Sequence, residues 1–294
     1  MQQALDDSGE SAGKGVAMKP LRLRLQQARE EFGIPWEVLE RDYLLSWLLA
    51  GIGEVDMLRK LIVFKGGTAL KKCYFGDYRF SEDLDFSGLE GVPTGSSLEQ
   101  EINKACDATV ALLDSYTPVE LTCHRYTEKE PHPGGQEAFT IRARFPWHSK
   151  PHTRVMVEIT LDEPVLKSIS SRKIMHGYGE TLDAKIQVYA LEEIVAEKLR
   201  AILQHQLKLK ERGWSRSRAR DYYDLWRVLG AYRHQMDLSD LPALLQKKCS
   251  VRKVAFKDAE DFFRDPIPTF LLFTKRPWLG PLIPELPELD TVIG

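Results

Sequence analysis

Long hydrophobic runs are missing from this chain: nothing in its 294 residues approaches the roughly 20 consecutive apolar side chains of a membrane helix. That absence points away from a membrane function and toward a soluble protein. Cysteine is scarce, at four residues, and Cys73, Cys106, Cys123 and Cys249 lack paired metal-ligand spacing. The seven histidines build no zinc pattern around them, so a reduced, cytoplasmic setting fits best. An excess of either charge is missing too. The 41 Lys and Arg against 43 Asp and Glu leave a net charge of −2, so any nucleic-acid footprint has to be local. Residues 1–19 hold no apolar segment and are expected to form a flexible tail, not an export signal. No internal repeat is present.

What is there is ordinary globular material, 43% hydrophobic and 29% charged, enough for one large domain or two average ones. Residues 20 to 60 read as helical, with Leu39, Tyr43, Leu44, Trp47, Leu48 and Ile52 near helical spacing. The apolar run Leu61–Phe64 ends at two glycines, as a buried strand entering a tight turn does. Asp83–Ser87 reads as a second strand. Ser97 and Gln100 have the spacing of a capping box for a helix reaching about Tyr116. Alternating residues then give strands over Val119–Thr127, Phe139–Phe145 and Thr153–Leu161, with Pro131–Gly135 as a loop between the first two. From about residue 184 the pattern is helical, and the last thirty residues are proline-rich. The expected fold is α+β: an α/β domain over 20–180 with a mixed sheet and helices, a connection near Lys167–Glu180, then a mostly helical C-terminal domain over 181–294.

Chemistry concentrates at two places in the first domain. In Ser81-Glu82-Asp83-Leu84-Asp85-Phe86 a β conformation puts Asp83 and Asp85 on one face and Leu84 and Phe86 on the other. Paired carboxylates suit a divalent cation, Mg²⁺ or Mn²⁺, shared with phosphate oxygens; they also suit a plain polar strand edge. Upstream, Gly66-Gly67-Thr68 can offer backbone N–H groups and a hydroxyl to a phosphate, or can be a simple turn. It lacks the Lys-Ser or Lys-Thr of a Walker loop. Glu158, on the strand face opposite Val155, Val157 and Ile159, is the candidate for a third carboxylate at the metal, or an exposed strand acid.

At these residues the sequence resembles the AbiEii/MenT family of nucleotidyltransferase toxins within the DNA polymerase β-like superfamily. Four segments carry the resemblance: Lys65-Gly66-Gly67-Thr68-Ala69-Leu70, Arg79-Phe80-Ser81-Glu82-Asp83-Leu84-Asp85-Phe86, Glu192 to Ala201, and Arg220-Asp221-Tyr222-Tyr223-Asp224-Leu225. It implies a polymerase β-like nucleotidyltransferase domain with Asp83, Asp85, Lys198 and Asp221 as its active-site residues, and Glu158 joins them as the strand candidate. Lys65, Gly66, Gly67, Thr68, Ser81 and Lys198 would bind the NTP, and Asp224 is the weaker candidate beside Asp221. Lys198 falls inside the apolar stripe Leu191, Ile194, Val195, Leu199 and Ile202, either snorkelling to the surface or facing a triphosphate.

The resemblance further implies transfer of NMP from NTP to the 3′ hydroxyl at a tRNA acceptor end, releasing pyrophosphate and blocking aminoacylation, in a toxin restrained by an antitoxin. Ser81, beside the acids, is a place for inhibitory modification. From Lys198 to Arg220 there are eight Lys or Arg against the single acid Glu211, with His205 and Trp214 interspersed, a local basic stretch that could take RNA phosphates or simply be solvated. Two other functions stay open: transfer to a protein or small-molecule hydroxyl, and a noncatalytic RNA- or antitoxin-binding module.

Overall fold

In the strand Thr153–Thr160 every second residue from Thr153 is buried, and that alternation marks the middle of the molecule in the computed structural model, which describes residues 18–127, 136–213, 217–262 and 279–293. Most of the N-terminal tail, the Pro131–Gly135 loop, Trp214, and Pro266, Pro268 and Pro277 lie outside the described residues.

Helices α1 (Leu21–Phe32), α2 (Trp36–Glu54) and α3 (Asp56–Leu61) precede strand β1 (Ile62–Lys65). A short helix, α4 (Gly66–Ala69), runs straight into a wider π-type turn over Leu70–Tyr74. Strand β2 (Asp83–Gly88), helix α5 (Gly95–Leu113) and strands β3 (Glu120–Arg125), β4 (Gln136–Arg144), β5 (Thr153–Thr160), β6 (Ser170–Lys173) and β7 (Lys185–Val188) follow, then helices α6 (Leu191–Arg212), α7 (Ala219–Tyr232) and α8 (Leu241–Val251). The seven strands form one mixed sheet in the order β3-β4-β5-β2-β1-β7-β6. β2 runs antiparallel to β1 and parallel to β5, and β7 lies parallel to β1.

The expected strands and helices are present with small shifts in their ends, and the α+β class with a helical C-terminal part holds. Two details differ. Residues 185–188 form β7 and residues 170–173 form β6, so the sheet continues through the stretch read as connection and helix. Four-residue strands are too short to show alternation, and Lys185-Ile186-Gln187-Val188 gains its conformation by pairing with β1 and β6. The second is the start of α5, which begins after Thr94, with no side-chain cap bond. Ser97 therefore lies inside the helix and does not cap it.

One face of the sheet is apolar. Leu84, Phe86, Val157, Ile159 and Phe64 are all completely buried, and Phe64 and Phe86, register partners, meet with ring centroids 5.2 Å apart. Helix α2 contributes Tyr43, Leu44, Leu45, Trp47, Leu48, Leu49 and Ile52, none more than 2% exposed. Buried from Val38 to Ile52 apart from Arg41, with Glu40 and Asp42 inside as well, it is a central helix and not an amphipathic surface one. Each such apolar side chain stabilises the fold by about 1.5–3 kcal/mol. The opposite face of β1, β2 and β5 is polar, and it carries the site.

Candidate active site

Register sets the site. Lys65 on β1 is opposite Asp85 on β2, and Asp85 is opposite Glu158 on β5, so three charged side chains stand in one row across the polar face. Asp83, two residues before Asp85, shares that face. The row forms the floor of a cleft of about 570 Å³ lined also by Gly66, Gly67, Arg79, Ser81, Lys198 and Asp221, a volume in the range of small-ligand sites.

The glycines permit this close assembly. Gly66 has φ +79°, a conformation an L side chain rarely adopts, and a Cβ there would stand 2.6 Å from Asp85 Oδ2. A Cβ on Gly67 would collide with the Arg79 guanidinium. Gly66-Gly67 thus lets the start of α4 sit against the acids on one side and Arg79 on the other. Thr68 departs from its expected place. It is 1% exposed, its hydroxyl donates to the Asp83 carbonyl oxygen at 2.6 Å, and it does not line the cleft; that bond fixes the turn to β2.

Electrostatics separate the carboxylates. Burial, then the neighbouring Glu158 and Asp83 carboxylates, push Asp85 up to about 7, while Lys65 and Lys198 oppose the rise without cancelling it. Asp224 is the reverse. Burial disfavours its charge, yet Arg79 and Lys198 hold its carboxyl well below the usual carboxylate range. Arg79 grips it as a fork, Nε at 2.6 Å and Nη2 at 2.7 Å, Tyr78 donates its hydroxyl at 2.7 Å, and Lys198 Nζ lies 2.6 Å away. Lys198 also donates to Asp221 at 2.9 Å, which takes a further bond from Arg218 at 3.3 Å. Although burial opposes its charge, Asp224 and Asp221 raise the Lys198 ammonium above its ordinary value, so it stays a permanent cation at the cleft wall.

Of the residues singled out in the sequence, Lys65, Gly66, Gly67, Ser81, Asp83, Asp85, Glu158, Lys198 and Asp221 line the one cleft; Thr68 does not. Glu158 stands beside Asp85, but among the described residues no three His, Cys, Asp or Glu side chains converge in a metal-holding group. Register puts Glu158 opposite Asp85, with Asp83 two residues away on the same strand. Arg79 and Asp224 are central residues that spacing undervalued, because they lie 145 positions apart. Glu163, which carried no motif, also lines the cleft, as does Glu197, which lies in the Glu192 to Ala201 segment but was not singled out there. Glu82, at the rim, is held by Arg41 at 3.0 Å and Arg220 at 2.8 Å.

The cleft's eight Lys and Arg against six Asp and Glu give its lining a positive excess in a chain whose net charge is −2. Paired acids on a strand, a glycine turn at a helix start and a ring of cations together describe an enzyme that handles phosphates. The family follows from the sequence as a whole: residues 47–279 match the nucleotidyl transferase AbiEii toxin family of type IV toxin-antitoxin systems, and the chain belongs to that family. Its fold is similar to that of MenT4, a nucleotidyltransferase toxin from Mycobacterium tuberculosis H37Rv, with a TM-score of 0.62 and 20% identity over 94% of this chain and 86% of that one. No curated protein matches the chain. Membership makes it a nucleotidyltransferase toxin, with an NTP as substrate and an antitoxin as partner. No helix among the described residues is long and apolar enough to cross a membrane.

Proposed function

We propose that the chain transfers NMP from an NTP to the 3′ hydroxyl of a tRNA acceptor end in the cytoplasm, blocking aminoacylation. The observation that carries this reading is the row of Asp85 and Glu158 beside Asp83, facing Lys198 across one cleft. A second feature favours RNA as the acceptor. Arg200, Lys208, Arg218, Arg220 and Arg252 line the same cleft, next to the acids, where a polyphosphate strand gains most from a basic wall.

The donor set fits a hard divalent cation. Asp83 and Asp85 offer oxygens only, and Asp85, raised to about 7 by burial and two neighbouring acids, is short of compensating positive charge. Asp83 and Asp85 would hold Mg²⁺ or Mn²⁺. When bound, the cation supplies Lewis-acid stabilisation of phosphoryl charge. Gly66 and Gly67 leave room for the phosphates, and Lys65 and Lys198 bind and orient them. The acceptor hydroxyl attacks the α-phosphorus and its proton passes to Glu158. The bond from the α-phosphorus to the bridging oxygen breaks, and pyrophosphate departs with the electron pair toward Lys198.

The test is incubation with each of four α-labelled NTPs and total tRNA, alongside protein extract and small-molecule extract. Label at tRNA 3′ ends, absent with Asp83→Ala, is the expected result. Label entering protein or metabolites and never RNA overturns it, and toxicity unchanged in Asp83→Ala would reduce the chain to a binding module.

A further inference from the structure

The most deeply buried cation in the described structure is not among the residues proposed to touch substrate. Lys248, on α8, has no solvent exposure. Its ammonium lies 2.7 Å from Glu193, 3.0 Å from Glu197 and 3.8 Å from Glu163, donates to the Pro164 carbonyl oxygen at 2.9 Å, and stands 5.0 Å from the Tyr189 ring centroid. Burying an ammonium is costly unless anions surround it, and here three do.

Two of those anions also reach into the cleft. Glu197 turns its other oxygen to Lys65 at 3.5 Å, and Glu163 lies 3.7 Å from Lys65, 3.4 Å from Arg200 and 3.3 Å from Arg252. Lys65 and Lys248 even share Tyr189, Lys65 lying 5.6 Å from its ring centroid. Glu193 is occupied elsewhere, accepting the backbone N–H groups of Leu166 and Lys167 at 2.8 and 3.0 Å. Without Lys248, the charge of Glu197 and Glu163 would fall on Lys65 and the two arginines alone.

We propose that Lys248 is a positioning residue for the nucleotide: by taking up the charge of Glu197 and Glu163 from behind, it leaves Lys65 held in place and still positive toward the triphosphate. The proposal rests on the reading of the cleft as an NTP site. Lys65 would contact phosphates in ground and transition states alike, so its effect falls on affinity and not on turnover.

The test is a set of three variants whose effects differ in sign. Lys248→Met should raise the Kd for NTP, and the KM in transfer, roughly tenfold, the scale of one lost charge-assisted contact, with kcat within about a factor of two. Glu197→Gln, which removes an anion from beside Lys65, should tighten NTP binding. The double variant should return the Kd close to that of the native chain. A purely structural role for the network makes both single changes weaken binding, and that pattern overturns the proposal, as does an unaltered Kd in folded Lys248→Met. Should Lys248→Met fail to fold, Glu197→Gln decides alone: tighter supports, equal or weaker overturns. Kd is measured by equilibrium binding of a fluorescent NTP with no acceptor present. The expected Kd pattern with no label on tRNA would leave this inference standing and the tRNA reading lost.

Discussion

Two clusters of buried acids, one near the N-terminus and one in the cleft, are similar in composition and opposite in logic. In the first, Asp42 meets Lys72 at 2.9 Å and the Tyr178 hydroxyl at 3.0 Å, and Glu180 meets Arg24 at 2.5 Å, His176 at 3.1 Å and the Tyr43 hydroxyl at 3.0 Å. Every acid there faces cations or donors, and the network ties α1, α2 and the π-type turn to the segment before β7. In the cleft, Asp85 faces Glu158 and Asp83. Paired opposites join a fold together, whereas assembled like charges cost stability and persist where a ligand relieves them.

The sharpest way to break that comparison is Asp85→Asn. Transfer should fall by about three orders of magnitude, on the scale of losing a main electrostatic element, while the thermal midpoint stays level or rises because repulsion is relieved. A clear drop in the midpoint would put Asp85 with the structural acids.

Asp224→Ala tests the opposite case, since Arg79 and Lys198 would lose their shared partner. A loss of about 3–5 kcal/mol is expected from stranding buried charge, read from urea unfolding, together with loss of transfer. A loss under about 1 kcal/mol, the worth of a surface pair, would show the clamp to be dispensable.

Glu180 gives a pH test of the N-terminal cluster. Burial would raise its pKa, but hydrogen bonds from His176 and Arg24 bring it down to about 2. The folded value lies below the unfolded one, so the stabilisation is complete above the unfolded value of about 4.3 and is lost as pH falls toward 2. The shift corresponds to about 3 kcal/mol. Denaturant midpoints should slope downward with acid across this window in the native chain and markedly less in Glu180→Gln; equal slopes would remove Glu180 from the account.

A smaller loss of stability than that of Asp224→Ala is expected from Gly66→Ala, about 1–2 kcal/mol for a side chain in the left-handed region. Transfer should fall more than stability does, because the new methyl meets Asp85 Oδ2. Equal losses in the two would argue that the turn serves folding alone.

The polar face of β2 could be read from Asp-Leu-Asp-Phe alone, since alternation is a local property of a strand. The same holds for Lys198, a lysine in an apolar stripe. Arg79 and Asp224 could not be read that way: each is an ordinary charged residue until the chain brings them together across 145 positions. The place of the Thr68 hydroxyl was open for a related reason. A hydroxyl in a glycine turn can bond phosphate or backbone, and only the approach of β2 decides for the Asp83 carbonyl. β6 and β7 owe their conformation to neighbours, and Glu163 and Lys248 belong to no spacing pattern at all.

Because β2 pairs on both sides, antiparallel to β1 and parallel to β5, its register has a consequence for how this site can diversify. Adding a single residue within the strand, between Leu84 and Asp85, would exchange the two faces from that point on, sending Phe86 into the cleft and Asp85 into the apolar core. Length variation is therefore closed to this segment. Change has to come by replacement within a fixed frame, while insertions are confined to stretches outside the sheet.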